Sequence, residues 1–259
     1  MKVIGSAKNL ELKKMLLLYK KSRERKKQGL FVIEGEREII NAIKSNYILE
    51  RIFLEEGIGF NNANIKSVIN NTPTSVIEKK TFKKISIRSG GEKIIAIARS
   101  KLHVLKTLKL TRKSLIVVLE EPEKPGNIGA LIRTAAAAGI DALIIANPKT
   151  DLYHPQIIRN SLGGLFSIPI AMDSSDKVIS FLKKNCFNII VTALISKAKH
   201  YKRIKYEKPF ALIFGSEDKG INDFWIKKAN EIVQIPVKFP IDSLNLSVSA
   251  GVLIYHCLD

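Results

Sequence analysis

Five short, mainly apolar runs in the carboxyl-terminal half of the chain constrain its fold more than any other feature. They lie at 115–119, 142–145, 187–191, 210–214 and 232–235. An alanine-rich helical segment that ends near Gly139 separates the first two runs. Strands that alternate with helices form parallel sheets, and strands buried on both faces are apolar along their whole length. The pattern predicts an α/β fold in which a parallel sheet is followed by a last helix over 246–255.

Charge divides the chain into two parts. Residues 1–113 hold 26 of the 43 Lys and Arg residues but only 10 of the 24 Asp and Glu residues. A basic stretch without a clear strand period covers 100–113, and we place an interdomain linker there. We therefore predict two domains, a smaller basic α/β domain over 1–108 and a parallel-sheet domain over 114–259. Within the first domain, the segment 60–74 is rich in Asn and Ser and is predicted to be a loop.

The densest positive charge lies near the amino terminus. We expect one helix from Asn9 to Gln28, and its second half contains six cations within eight residues: Lys20, Lys21, Arg23, Arg25, Lys26 and Lys27. Such a concentration repels itself unless a polyanion neutralises it, so nucleic acid is the leading prediction for the partner. An anionic membrane surface is the second hypothesis. A third is that the charge reflects composition alone, because 33 of the 43 basic residues are Lys.

Composition argues against several classes of protein. The longest apolar runs, such as 143–146, are far shorter than the roughly 20 residues that span a bilayer, and residues 1–8 lack the apolar block of a secretory signal. The two cysteines, Cys186 and Cys257, cannot form a disulfide framework, and the four histidines have no Cys or acidic partner at metal-ligand spacing. We expect a soluble cytoplasmic protein with reduced thiols, no membrane span and no metal.

Unusual residues follow three of the predicted strands. Ligands of open α/β sheets bind at the carboxyl ends of the strands, so these loops are candidate sites. In the first loop, 121–133, we expect Asn127 to be the N-cap of a helix from which Arg133 reaches a phosphate. The alternative is a capped helix with a solvated arginine.

The second and third loops have simple alternatives as well. Residues 214–221 carry Glu217 between glycines and match neither a phosphate loop, a dinucleotide fingerprint nor a nucleophile elbow. A tight turn with solvated carboxylates explains this loop equally well. In the third loop, 235–247, two prolines precede Ser243 and Asn245, whose side chains lie at a predicted helix start, where they could also be a plain N-cap.

Taken in order, the three loops resemble the motifs of the SpoU (TrmH) family of RNA ribose 2′-O-methyltransferases, within the SPOUT superfamily. The motif residues are Asn127, Gly129 and Arg133, then Phe214, Gly215, Ser216, Glu217 and Gly220, then Ile235, Pro236 and 243–247. The basic domain is similar to the ribosomal-protein-like substrate-binding domain of many members, through Lys21, Arg23 and 31–35. The run 151–163 is similar to members that act on large-subunit ribosomal RNA. Two positions depart from the family pattern: Val237 replaces a common methionine and Phe239 a common glycine.

The resemblance implies a fold and a cofactor. The carboxyl-terminal domain would be a SPOUT trefoil-knot methyltransferase domain, and two copies of the chain would form a homodimer with each active site near the interface. S-adenosylmethionine would bind in a bent form, held mostly by backbone, around Thr192, Leu194, Gly215, Ile235 and Leu244. A side chain at position 215 would fill the adenosine site.

The resemblance also implies the reaction, in which a ribose 2′-oxygen attacks the donor methyl group. It assigns the catalytic residues as Arg133, Asn127, Glu217, Ser243 and Asn245. RNA binding by the basic cluster over 20–27 is predicted from its charge, and Lys21 and Arg23 of that cluster match the family pattern. Because a guanidinium stays protonated, we expect Arg133 to bind phosphate and stabilise oxyanion charge, while that phosphate or Glu217 accepts the proton.

Several substrates and functions stay open. We favour 23S-type ribosomal RNA as the substrate because of the added domain. A transfer RNA methyltransferase is one alternative, and a non-catalytic RNA-binding or ribosome-assembly factor that keeps the fold is another. A nucleotide-hydrolysing enzyme is a third reading, but the chain has no phosphate-loop lysine to support it.

Overall fold

The computed structural model describes residues 3–86 and 92–258, and the chain forms two compact units. The first unit contains Met1–Leu102 and Leu152–Ser167, and the second contains His103–Asp151 and Ile168–Asp259. The segment Leu152–Ser167 therefore packs in the first unit, although its sequence position falls inside the predicted second domain. The first boundary between the units lies within the predicted linker.

A five-stranded mixed sheet forms the centre of the first unit, in the order β1-β4-β3-β5-β2. Elements are numbered along the whole chain. The strands are β1 (Val3–Ile4), β2 (Leu30–Glu34), β3 (Leu49–Glu55), β4 (Thr74–Ile77) and β5 (Ile94–Arg99). The helices of this unit are α1 (Leu10–Lys20), α2 (Ser22–Gln28), α3 (Glu36–Lys44), α4 (Ala63–Asn71), α5 (Lys79–Ile85), α7 (Pro155–Asn160) and α8 (Gly164–Ser167).

The late segment of the first unit packs through aromatic rings. Tyr153 stacks on Phe31 of β2, with 4.0 Å between the ring centroids, and its hydroxyl lies 3.2 Å from that of Tyr47. Phe166 contacts the Tyr47 ring edge to face at 5.2 Å. All four rings are buried, so Leu152–Ser167 supplies part of the hydrophobic core of the first unit.

Two expectations for the first unit are wrong. The predicted loop over 60–74 contains α4, whose N-cap, Asn62, accepts a hydrogen bond from the backbone N–H of Asn64 at 2.9 Å. The predicted single helix is broken at Lys21, which is extended and separates α1 from α2. Gly29, with a φ of +63°, ends α2 as expected.

The break between α1 and α2 is stabilised by Arg25. Its guanidinium donates hydrogen bonds to the backbone carbonyls of Leu18 and Tyr19 at 2.8 and 2.9 Å, and the residue is 4% exposed. These carbonyls belong to the last turn of α1, where helix acceptors lack partners of their own. The structure thus gives Arg25 a role within the fold, unlike its neighbours in the basic cluster.

We expect Arg25→Ala to lower the free energy of unfolding by about 2 kcal/mol, because hydrogen bonds from a charged donor are lost and two carbonyls lose their partner. The measurement is urea denaturation followed by circular dichroism. Lys26→Ala is the matched control, since Lys26 is exposed in the same helix and its loss should change stability by less than about 0.5 kcal/mol. Equal effects of the two substitutions would contradict the role given to Arg25.

The second unit is built on a seven-stranded parallel sheet, in the order β10-β12-β9-β11-β6-β7-β8. Its strands are β6 (Leu115–Glu120), β7 (Ala142–Ala146), β8 (Ile170–Asp173), β9 (Asn188–Thr192), β10 (Lys199–His200), β11 (Phe210–Phe214) and β12 (Glu231–Gln234). Its helices are α6 (Pro125–Ala138), α9 (Ser175–Lys184), α10 (Asp223–Ile226) and α11 (Leu246–His256). The predicted parallel sheet is confirmed, and the five apolar runs are its five central strands.

Strand order places the three candidate loops side by side. The strands β12, β9, β11 and β6 are consecutive neighbours and run parallel. Their carboxyl ends therefore meet at one edge of the sheet, where the loops after β6, β11 and β12 begin.

Candidate active site

A cleft of about 600 Å³ opens at this edge of the second unit. Its walls come from the segments that follow β9, β11 and β12 and from the first turns of α6 and α11. All five residues predicted to hold the donor line it: Thr192, Leu194, Gly215, Ile235 and Leu244. The volume lies within the range of small-molecule sites, which is about 300–1,000 Å³.

Four of the five predicted catalytic residues line the same cleft, namely Asn127, Glu217, Ser243 and Asn245. Arg133 does not. It lies exposed on α6, and among residues 3–86 and 92–258 its guanidinium forms no ion pair or hydrogen bond. The cleft of a single chain is therefore formed without Arg133.

A chain of hydrogen bonds joins the three loops. The amide of Asn245 donates to Asn127 Oδ1 at 3.0 Å, and the amide of Asn127 donates to Glu217 Oε1 at 2.9 Å. The other Glu217 oxygen accepts from the backbone N–H of Glu123 at 3.4 Å. Each motif thus contributes one side chain to a network that fixes the carboxylate of Glu217 at the cleft.

The two asparagines differ in their helix positions. The expectation that Asn127 is an N-cap is wrong, because Lys124 is the N-cap of α6 and Asn127 is its third residue. Its side chain is therefore available for Glu217 and Asn245. Asn245 is the N-cap of α11 and accepts a hydrogen bond from the backbone N–H of Ser247 at 2.9 Å. It is therefore a helix cap that also lines the cleft.

Gly215 is required by the shape of its own loop. Ser216 and Gly220 exchange two backbone hydrogen bonds of 3.0 Å, which close the loop tightly. A Cβ atom on Gly215 would lie 2.2 Å from the carbonyl carbon of Gly220 and 2.3 Å from the backbone nitrogen of Ile221. The reason expected from the sequence was room for an adenosine, but loop closure already excludes a side chain there.

Several contacts beside the loop over 121–133 were not predicted from the sequence. Glu120, the buried last residue of β6, accepts hydrogen bonds from Trp225 Nε1 at 2.8 Å and Asn147 Nδ2 at 3.1 Å. Hydrogen bonds with Glu121 and Glu123 raise the pKa of Lys149 above its usual range. The sequence feature that could have identified Glu120 is a carboxylate at the end of an otherwise apolar strand, because a buried charge needs partners.

Apolar side chains are exposed next to the cleft. Phe239, one of the two departures from the family pattern, is 97% exposed, whereas Val237 lines the cleft. On α11, Val248, Val252 and Tyr255 are exposed at helical spacing. We call these four exposed residues, Phe239 and the three on α11, the apolar face.

The basic cluster lies in the first unit, at the end of α1 and along α2. Lys20, Lys21, Arg23, Lys26 and Lys27 are exposed, and Arg25 is buried as described. Five of the six predicted RNA-binding cations are thus accessible to a polyanion.

The described residues contain neither a candidate metal centre nor a candidate membrane span. Over residues 3–86 and 92–258, no group of three or more His, Cys, Asp or Glu side chains is placed to hold a metal ion. In the same part of the chain, no helix combines the length and the apolar character needed to cross a membrane.

We expect Asn127→Ala to lower the free energy of unfolding by about 1–2 kcal/mol, since it removes two side-chain hydrogen bonds at the junction of the loops. Urea denaturation measures this effect. Asn70→Ala serves as the control, because Asn70 is also helical but exposed, and its substitution should be nearly neutral. If both variants unfolded at the same urea concentration, the network would contribute nothing to stability.

Two family models match the chain. Residues 114–255 match the SpoU rRNA Methylase family, and residues 9–96 match the MRM3-like substrate binding domain. The first match covers more than half of the chain and includes all three loops of the cleft.

Similar proteins match over nearly the whole length. The 23S rRNA (guanosine(2553)-2′-O)-methyltransferase RlmP of Bacillus subtilis (strain 168) is 29% identical over 257 residues, which cover 99% of each protein. A crystal structure of an RNA 2′-O ribose methyltransferase is 34% identical, with a TM-score of 0.85 over 99% of this chain and 98% of that chain. The AdoMet-bound rRNA methyltransferase from Sinorhizobium meliloti shares the fold, with 23% identity and a TM-score of 0.89 over 99% of this chain and 97% of that chain.

Proposed function

This chain belongs to the SpoU rRNA methylase family, and we propose that it transfers a methyl group from S-adenosylmethionine to a ribose 2′-hydroxyl of 23S-type ribosomal RNA. The observation that carries the proposal is the hydrogen-bonded junction of Asn127, Glu217 and Asn245 at one cleft. A ribosomal RNA substrate also accounts for the accessible basic cluster, and it supports our proposal of a cytoplasmic location.

The cleft fits the proposed methyl donor. Leu194, Ile235 and Leu244 offer apolar contacts to an adenine, and backbone at Gly215 can approach a ligand closely because no side chain intervenes. When bound, S-adenosylmethionine supplies an activated methyl group, so the protein must align the reacting atoms and manage one proton. We propose that Ser243 and Asn245 position the ribose or the donor.

Proton transfer and charge stabilisation fall to two side chains in this proposal. Glu217, held by Asn127, is an acceptor for the proton of the 2′-hydroxyl, and an RNA phosphate is the other. Arg133 binds the RNA phosphate and stabilises negative charge on the attacking oxygen, because its guanidinium is protonated at any working pH.

A homodimer would reconcile Arg133 with the cleft. Arg133 lies outside the cleft of its own chain, and the apolar face on α11 and at Phe239 is exposed next to that cleft. Apolar patches of this kind mark interaction surfaces. We propose that two copies associate through the apolar face and that Arg133 of one protomer serves the cleft of its partner. We also propose that the carboxyl-terminal domain contains the trefoil knot of the family. The loops after β11 and β12 line the same cleft, which supports this proposal.

The experiment is tritiated methyl transfer from S-adenosylmethionine to total RNA that lacks the native modification, followed by sizing of the labelled species. Label in large-subunit ribosomal RNA that maps to a 2′-O-methyl nucleotide is the expected result. Label in transfer RNA would overturn the substrate, and no label together with no donor binding in calorimetry would favour the non-catalytic RNA-binding factor.

A further inference from the structure

A second cavity, of about 610 Å³, lies within the first unit. The end of α1 and strand β2 form one side, and the segment that begins at His154 forms the other. Tyr19, Lys20, Glu34 and Arg159 are among the residues that line it. None of the three loops of the cleft contributes a residue to this cavity, and the proposed reaction makes no use of it, although Glu34 and 154–160 lie in segments that resemble the family.

The lining combines three kinds of chemistry. Tyr19 is a partly buried aromatic ring, and Glu34 is a carboxylate that is only 9% exposed and accepts a hydrogen bond from Ser86 Oγ at 2.5 Å. Lys20 and Arg159 are exposed cations at the same cavity. Proteins read single-stranded RNA with the same set: a ring to stack on a base, polar groups for the base edge and cations for the phosphate.

We propose that this cavity binds one unpaired nucleotide of the RNA substrate, with the base against Tyr19, its N–H edge toward Glu34 and its phosphate toward Lys20 and Arg159. The inference rests on the proposed function, since it names a recognition site for that RNA. The carboxyl oxygens of Glu34 are hydrogen-bond acceptors, so Glu34 favours a base edge that presents N–H groups. The volume is sufficient for one nucleotide and too small for a duplex.

The electrostatics of Tyr19 agree with stacking. Burial and the nearby charge of Glu34 raise the pKa of Tyr19, whereas Arg159 and Arg25 act in the opposite direction. The phenol is therefore neutral at physiological pH and does not repel a phosphate. Glu34, Arg159 and Arg25 each lie within electrostatic reach of Tyr19. Lys20 lines the cavity and begins the basic cluster, so an RNA strand bound along α2 would lead into the cavity.

The first test is fluorescence anisotropy with a labelled fragment of 23S-type RNA, together with the KM for RNA in methyl transfer. Tyr19→Leu should weaken RNA binding about tenfold, because stacking on one aromatic ring is lost, while Tyr19→Phe keeps the ring and should bind like the wild type. Arg159→Ala should weaken binding more than Arg112→Ala, the control that removes an exposed arginine elsewhere. Turnover at saturating RNA and donor affinity should not change in any of these variants.

The second test does not depend on activity. RNA substituted with 4-thiouridine or 6-thioguanosine is crosslinked by ultraviolet light, and the attached peptides are identified by mass spectrometry. Peptides that contain Tyr19 or residues 154–160 are expected, and their absence would overturn the inference even if Tyr19→Leu fails to fold. Unchanged RNA binding in folded Tyr19→Leu and Arg159→Ala would overturn it as well.

Three further outcomes test the RNA assignment and separate this inference from the proposed function. Guanosine monophosphate that binds alone as tightly as the RNA fragment would indicate a site for free nucleotides and overturn the RNA assignment. If the wild type methylates RNA but the cavity variants behave like Arg112→Ala, the cavity inference fails and the proposed function stands. If the wild type methylates no RNA while crosslinks still map to the cavity, the proposed reaction fails and the cavity remains an RNA site.

Discussion

Arg133→Ala is expected to reduce methyl transfer by about a hundredfold to a thousandfold, while the affinity for S-adenosylmethionine stays unchanged. Removal of one group that stabilises a developing oxyanion has effects of this size. Donor affinity should persist because Arg133 does not line the cleft of its own chain. The measurements are steady-state methyl transfer and calorimetry with the donor. Arg203→Ala, which removes an exposed arginine from the same unit, is the control.

Mixing two inactive variants tests where Arg133 acts. Leu244→Arg should block the cleft without removing Arg133, because Leu244 lines the cleft and is 37% exposed. If each arginine serves the partner's cleft, a hybrid dimer of Arg133→Ala and Leu244→Arg has one complete site. A random equal mixture should then recover about one quarter of wild-type activity. No recovery in verified hybrid dimers would place Arg133 in its own cleft, and equal losses of activity and donor binding in Arg133→Ala would indicate a structural role.

Gly215→Ala is expected to abolish donor binding and to lower the melting temperature. The new methyl group would lie 2.2 Å from backbone of Gly220, and backbone cannot move aside as a flexible side chain can. The hydrogen bonds between Ser216 and Gly220 would have to open, and the wall of the cleft would open with them. Overpacking of this kind costs about 1–3 kcal/mol of stability.

Calorimetry and thermal denaturation measure both consequences of Gly215→Ala. Gly59→Ala is the control, because a Cβ atom at Gly59 would contact no atom within 4 Å. The control should bind the donor and melt like the wild type. A Gly215→Ala protein that binds the donor normally would contradict the loop geometry.

The sequence predicts strands best where burial alone determines them. The five central strands of the second unit each contain a mainly apolar run and are all predicted from the sequence, whereas β8 and β10, at the two edges of the sheet, are not. Edge strands pack on fewer neighbours and so carry a weaker pattern. The two-residue β10 is too short for any periodicity.

Site residues could be predicted as a set, but their contacts could not. The order of the motifs groups Asn127, Glu217 and Asn245 as one candidate site, yet the sequence also predicts that Asn127 caps its own helix. Its partners lie 90 and 118 positions away along the chain, so tertiary contacts override the local capping preference. Arg25 shows the same limit, because the sequence gives no indication that one of six clustered cations turns inward.

The segment Leu152–Ser167 packs in the first unit but lies in sequence between two segments of the second, which limits how such proteins can recombine. The chain passes between the units three times, after Leu102, Asp151 and Ser167, so no single cut separates them. A fragment that ended in the linker would leave Phe31 and Tyr47 without the rings of Tyr153 and Phe166. Recombination between relatives at the linker would therefore combine the amino-terminal part of one protein with the Leu152–Ser167 segment of another. We expect both units to be inherited together, and we expect substitutions in Leu152–Ser167 to be correlated with substitutions in β2 and α3.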